Sequence, residues 1–254
     1  MEKPIVLYTD HYINRLLCHS FAQGSNSLMC HVTKFKDYNK TIATYGYLRG
    51  TGTAIKQSTN YYYLDHGYFN QSKRKFEDNM TKIINLDGYF RVTYNDYWNN
   101  GMISRPEDRF NKLDIQFKPI KKNGKHIILS EPTLDAKEYY KLHDWKDKTI
   151  KKLKKFTDRE IILHNRTSKN KLNDLLVDAW AFVSDHSSAG FIAMQHGVPA
   201  YFTNKTLQNV GKIENIEKHD INYSVLNNLA YEQWTINEIK SGECWDHLSK
   251  NNLK

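Results

Sequence analysis

The stretch Ser184-Asp185-His186-Ser187-Ser188-Ala189-Gly190 sets two hydroxyls, an imidazole and a carboxylate between an apolar run and an amphipathic one. Residues 181–202 read as a buried strand, a polar turn, a short helix and a second strand beginning at Val198. Ser187 and Ser188 fall where the helix starts, Ala189 and Gly190 begin its first turn, and Gly190 leaves that turn uncrowded. A helix start carries unpaired N–H groups and a partial positive charge, so it can hold a phosphate. A Ser-capped helix of any α/β protein has the same pattern. Arg166 and Lys169 follow the strand at 160–164 and bring cations to the same sheet edge. An arginine there can neutralise a diphosphate bidentately, or make a surface ion pair. Asp185 repels an anion unless it is turned away, in which case it can orient His186.

A second constellation lies at residues 63–69, Tyr-Leu-Asp-His-Gly-Tyr-Phe. The strand from Tyr61 to Leu64 should deliver Asp65 and His66 onto a turn permitted by Gly67. An imidazole oriented by a carboxylate can take a proton from a hydroxyl, because its pKa lies near working pH. Such a pair can equally be structural. Asp10, at the end of the first strand, is the rival base by position. Residues 45–52 form a glycine-rich turn without the G-x-G-x-x-G or Walker order, and it places Arg49 over a cleft.

The elements that must position these groups follow from periodicity. The first half reads as strand 4–9, a helix over 11–22, and strands 41–47, 61–64 and 89–93. The second reads as strand 126–129, a helical span 135–156, strand 160–164, helix 170–178, strand 181–183, helix 188–196 and strand 199–202. Strands alternating with helices imply a parallel, doubly wound sheet, whose ligands bind beyond the strands' C-terminal ends. A linker-like Lys121-Lys122-Asn123-Gly124 puts the boundary between domains 1–120 and 121–254. The tail, 222–248, should form two or three short helices anchored by Trp234 and Trp245.

With 37 basic against 28 acidic residues, the net charge of +9 favours anionic partners such as nucleic acid, nucleotide phosphates or an anionic surface. Lysines concentrate at 118–125 and 146–155. The second run should be a helix with Ile150, Leu153 and Phe156 turned inward and its lysines solvated or touching a polyanion. No stretch has the roughly 20 apolar residues of a membrane span, and the N-terminus lacks the layout of a signal peptide, so a cytoplasmic protein is expected. Three cysteines make no disulfide framework. The Cys18-His19 and Cys30-His31 pairs suit zinc poorly, since adjacent residues of a helix point about 100° apart, and no metal site is expected. The absence of G-x-S-x-G and of the dinucleotide fingerprint argues against a serine hydrolase or a hydride-transfer enzyme.

The sequence Ser187-Ser188-Ala189-Gly190, followed by Ala193-x-x-x-Gly197-Val198-Pro199, resembles the donor half of two-Rossmann-domain (GT-B) glycosyltransferases, including capsular-polysaccharide and polyol-phosphate transferases. Asp65-His66-Gly67 is similar to the His-Gly turn that supplies a base in the polyol-phosphate branch, and residues 229–248 resemble the tail of glycosyltransferase-like proteins of tailed phages. The resemblance implies an α/β fold of two Rossmann-like parallel-sheet halves facing a cleft, an acceptor half and a donor half with a helical tail. It implies metal-independent sugar transfer from a nucleotide-sugar, with no further cofactor. His66, oriented by Asp65, would take the acceptor proton, with Asp10 the rival base. Arg49, Arg166, Lys169, His186, Ser187, Ser188, Ala189 and Gly190 would hold the donor. Glu131, Glu214 and Glu243 are candidates for the ribose. Basic charge and the phage-like tail point to hydroxymethylated pyrimidines in double-stranded DNA as acceptor, with surface or capsular polysaccharide as the alternative. A basic nucleic-acid-binding protein without turnover is the reading from another class.

Overall fold

The central strands of both sheets are mostly apolar and buried, as a sheet covered on both faces requires. Val6, Leu7, Ile42, Ala43, Tyr62 and Leu64 are sealed in the first half, and Ile127, Ile128, Leu129, Phe182 and Val183 in the second. A computed structural model describes residues 2–72, 74–77, 80–83, 87–98, 104–165 and 167–251. It divides into two compact units, Met1–Arg105 with Asn228–Lys254, and Pro106–Asn227.

The first unit opens with β1 (Ile5–Tyr8), α1 (Tyr12–Ser25), β2 (Met29–His31), β3 (Ile42–Tyr45), α2 (Thr51–Gln57) and β4 (Tyr61–His66). A two-stranded ribbon, β5 (Arg74–Glu77) and β6 (Met80–Ile83), precedes β7 (Tyr89–Tyr94). The second unit runs α3 (Asp108–Asn111), β8 (His126–Ser130), α4 (Leu134–Tyr140), α5 (Trp145–Leu153), β9 (Glu160–His164), α6 (Leu172–Val177), β10 (Ala179–Ser184), α7 (Ala189–Gln195) and β11 (Ala200–Phe202). After α8 (Ser224–Ala230) the chain ends with β12 (Gln233–Thr235), α9 (Ile236–Ser241) and α10 (Glu243–Asn251).

The second unit's sheet has the order β11-β10-β8-β9 and is parallel throughout, as its alternation of elements predicts. The expected helix over 135–156 is broken in two. Lys141 closes α4 in a left-handed conformation, φ 57°, and Asp144 starts α5. Trp145, Thr149 and Leu153 form the buried face of α5, whereas Phe156 lies past its end and is 37% exposed instead of turned inward.

The first unit's sheet is mixed, β12-β7-β4-β3-β1-β2, with β7 antiparallel to both neighbours. The tail departs from expectation. Instead of joining the 121–254 half, β12 pairs with β7, and Trp234, Ile239, Cys244 and Leu248 share a core with Val6, Leu17, Phe21 and Tyr62. Gly24 of α1 makes this docking possible: a Cβ there would stand 2.0 Å from the Ile239 carbonyl oxygen. A capping box between Thr235 and Glu238 starts α9.

Candidate functional site

In the second unit the chain lays β9 on one side of β8 and then crosses to β10 on the other. The crevice of such a reversal lies outside the carboxyl ends of β8 and β10, where Ser130 and Ser184 are register partners. The segment following β10 is held tightly. Asp185, 6% exposed, accepts from the Thr203 hydroxyl at 2.7 Å through Oδ1, and Thr203 in turn accepts from Trp145 Nε1 at 2.6 Å. Asp185 Oδ2 lies 2.6 Å from His186 Nδ1. A carboxylate only accepts, so Nδ1 donates, which sets the ring's tautomer and orientation. The edge of the Tyr140 ring approaches the imidazole, centroid to centroid 5.3 Å. Asp185 thus has both carboxylate oxygens engaged and orients His186, one of the two outcomes its position allowed.

Ser187 and Ser188 are half-buried beside this dyad. The Ser187 amide donates to Ser184 Oγ at 3.2 Å, and Ser187 Oγ accepts from the Ala189 amide at 3.3 Å. Ser188 sits at the helix start without a side-chain cap bond. Gly190 serves packing more than room for a ligand: a Cβ there would lie 2.6 Å from the Phe202 ring. Lys169 is exposed in the turn before α6, and Arg166 lies outside the described residues. Of the ribose candidates, Glu131 is tied to Lys137 at 2.6 Å and Glu214 to Lys152 at 2.8 Å, while Glu243 belongs to the other unit. His164, at the end of β9, has its pKa lowered by burial.

The first unit repeats the reversal at β1, flanked by β2 and β3. Asn14 of α1 pins the two strand ends: its Oδ1 accepts from the Thr9 amide at 2.7 Å and its Nδ2 donates to the Tyr45 carbonyl at 2.9 Å. Asp10 projects there with its side chain 90% exposed, 3.6 Å from His31 Nε2, and Thr33 Oγ1 lies 2.8 Å from the other ring nitrogen of His31. Arg49 is exposed in a left-handed turn, φ 59°, ahead of α2.

Asp65 and His66 are placed differently from the expectation. Both lie within β4 and not on a turn, and His66 is 9% exposed. Asp65 does not orient the imidazole. Its Oδ2 accepts from Arg91 Nη2 at 2.9 Å and from the Tyr63 hydroxyl at 3.0 Å, and its Oδ1 from the His66 backbone amide at 2.8 Å. Burial by itself would raise the Asp65 carboxyl, but the Arg91 guanidinium, His66 and these hydrogen bonds together hold it below its ordinary value. The imidazole instead meets the Tyr45 hydroxyl, 2.7 Å from Nε2. Gly67 allows close approach of β7 and β12, since a Cβ there would stand 2.9 Å from the Tyr89 carbonyl and 3.0 Å from Gln233 Oε1. Arg91 and Tyr45 were missed because their partners come from distant segments, and Thr203 and Trp145 for the same reason. His31 was considered only as a metal ligand. Among the described residues no group of three or more His, Cys, Asp or Glu side chains is placed to hold a metal ion, and no helix is long and apolar enough to cross a membrane.

Two Rossmann-like units with a C-terminal helical region make a GT-B-like fold, the architecture of many nucleotide-sugar-dependent transferases. Among solved structures the chain is similar to the KpsC of Thermosulfurimonas dismutans, a beta Kdo 2,4 transferase. The TM-score is 0.51 at 12% identity, over 91% of this chain and 90% of that one. At that identity the likeness is one of fold. No protein-family model and no curated protein matches the sequence.

Proposed function

We propose that the protein transfers a sugar from a nucleotide-activated donor to a hydroxyl of a surface or capsular saccharide. The observation that carries this reading is the turn after β10, where an Asp185-oriented His186 adjoins the Ser187 and Ser188 hydroxyls at the edge of a GT-B-like sheet. As the anomeric carbon–oxygen bond breaks, negative charge grows on the departing phosphate. Donors fixed in advance at that oxygen lower the barrier most. Ser187 and Ser188 supply such donors, as does Nε2 of His186 in the imidazolium form that Asp185 stabilises, with Lys169 and Arg166 as further cations. The acceptor oxygen forms the new bond to the anomeric carbon and gives up its proton to a carboxylate or imidazole base. Exposure of Asp10 and the approach of His31 favour Asp10 for that role. The burial of His66 and the engagement of Asp65 with Arg91 weigh against the Asp65–His66 pair. The saccharide acceptor is favoured by the fold shared with a beta Kdo 2,4 transferase. A DNA acceptor rests on the net charge of +9.

Incubation with a panel of nucleotide-sugars, each offered an oligosaccharide acceptor or hydroxymethylated duplex DNA, tests the reading by mass analysis of products. A glycosylated oligosaccharide is expected. Product on DNA alone would transfer the assignment to the nucleic acid, and no product from any donor would refute sugar transfer.

A further inference from the structure

The lysine-rich run at 146–155 has no part in the mechanism above, and as an exposed helix face it would simply be solvated. Two of its lysines also border a concavity. Lys148 and Lys152, one turn apart on α5, line a pocket of about 760 Å³ inside the second unit. Lys141, at the end of α4, and Lys212, ahead of the turn at 213–215, line it from two other segments. Leu142 and Ile213 give it an apolar surface, and Asp185 and Thr203 are among its polar lining. Four lysines therefore face three carboxylates, those of Asp144, Asp185 and Glu214. Asp144 pairs with Lys148 at 2.5 Å and Glu214 with Lys152 at 2.8 Å. The hydrogen bond from Lys152 holds the Glu214 carboxyl below its ordinary value. Asp185 has both oxygens engaged, by Thr203 and His186.

We propose that this pocket binds a small phosphorylated molecule, with its phosphate among the four ammonium groups and its ring against Leu142 and Ile213. The volume falls in the range of small-ligand sites, about 300–1,000 Å³. Lysines bordering it from three segments suit a phosphate dianion, which accepts several charge-assisted hydrogen bonds at once. The ion pairs to Asp144 and Glu214 hold Lys148 and Lys152 in place until the ligand's phosphate competes for them. Such binding does not require that sugar be transferred.

Calorimetric titration of the full chain with inorganic pyrophosphate, uridine diphosphate, cytidine monophosphate, glucose 1-phosphate and a short DNA duplex tests the proposal. At least one small phosphorylated probe should bind saturably. The double substitution Lys148→Ala and Lys152→Ala should weaken that binding about tenfold or more, and Lys148→Arg with Lys152→Arg should restore most of it. Glucose 1-phosphate against the nucleotides separates a sugar phosphate from a nucleoside phosphate as the ligand. If the alanine pair unfolds the unit, Lys212→Glu in the exposed loop provides the same comparison. Undiminished binding in the substituted chains, binding of the duplex alone, or no binding by any small probe would overturn the proposal. A chain that binds pyrophosphate here but transfers no sugar would leave it standing and defeat the transferase reading alone.

Discussion

Of the four Asp-His dipeptides in the sequence, 65–66 and 185–186 each follow an apolar run, and the fold uses these two in opposite ways. At 185–186 the carboxylate grips the imidazole; at 65–66 it grips a guanidinium from another strand. Asp65→Ala would break the ion pair with Arg91, whose side chain is 6% exposed. The expected cost is about 3 kcal/mol in urea unfolding, and a loss within experimental error would show that the pair is solvated. Because the folded pKa of Asp65 lies below its unfolded value of 3.8, its contribution is complete above pH 3.8 and disappears as pH falls through the folded value. Asp65→Asn should therefore show a flatter stability profile below that pH than the parent chain. Asp185→Ala should leave the fold in place but free His186 to rotate, lowering turnover by about 10²-fold. Unchanged turnover would remove the dyad from the chemistry. Adjacent residues announced both pairs, but which carboxylate meets which ring depends on Arg91 and Thr203, far away in the chain.

Among the elements, those packed through a run of neighbouring residues were legible and those made by distant pairing were not. The β10–α7–β11 unit follows from its own residues: an apolar strand, a polar turn, and a glycine where helix and strand meet. Gly190→Ala would place a methyl 2.6 Å from the buried Phe202 ring, itself packed on Phe191. The methyl's gain in helix propensity is smaller than the overpacking cost of about 1–3 kcal/mol. A fall in melting temperature together with weakened phosphate binding is the expected result, and an unchanged melting temperature would contradict the close packing. Strand β2 has only three residues and α2 begins inside a glycine-rich turn, so neither gave a periodic signal. The lysines of α5 read as solvated or touching a polyanion, and the pocket beside Lys148 and Lys152 was not visible because its other wall comes from residues 208–214.

At the scale of the whole chain, the alternation of strands and helices was enough to anticipate the parallel sheet of the second half, and the resemblance to GT-B transferases implied two Rossmann-like units. The path of the last residues was not visible, because antiparallel pairing of β12 with β7 links residues more than a hundred positions apart. A chain ending at Asn227 should therefore lose its first unit, with Trp234, Ile239 and Leu248 stripped from that core. Hydrogen exchange would show this as lost protection in β1, β3 and β4 with protection kept in β8 and β10. Equal protection of both sets would refute it. The assignment of the donor to the turn after β10 is tested most directly by thermal unfolding with a panel of nucleotide-sugars, comparing the parent chain with Ser187→Ala and Ser188→Ala. At ligand near one hundred times its dissociation constant, stabilisation of about 2.7 kcal/mol is expected for the parent, and a much smaller shift for the serine variants. No stabilisation by any nucleotide-sugar, or the same shift in all three chains, would contradict the account.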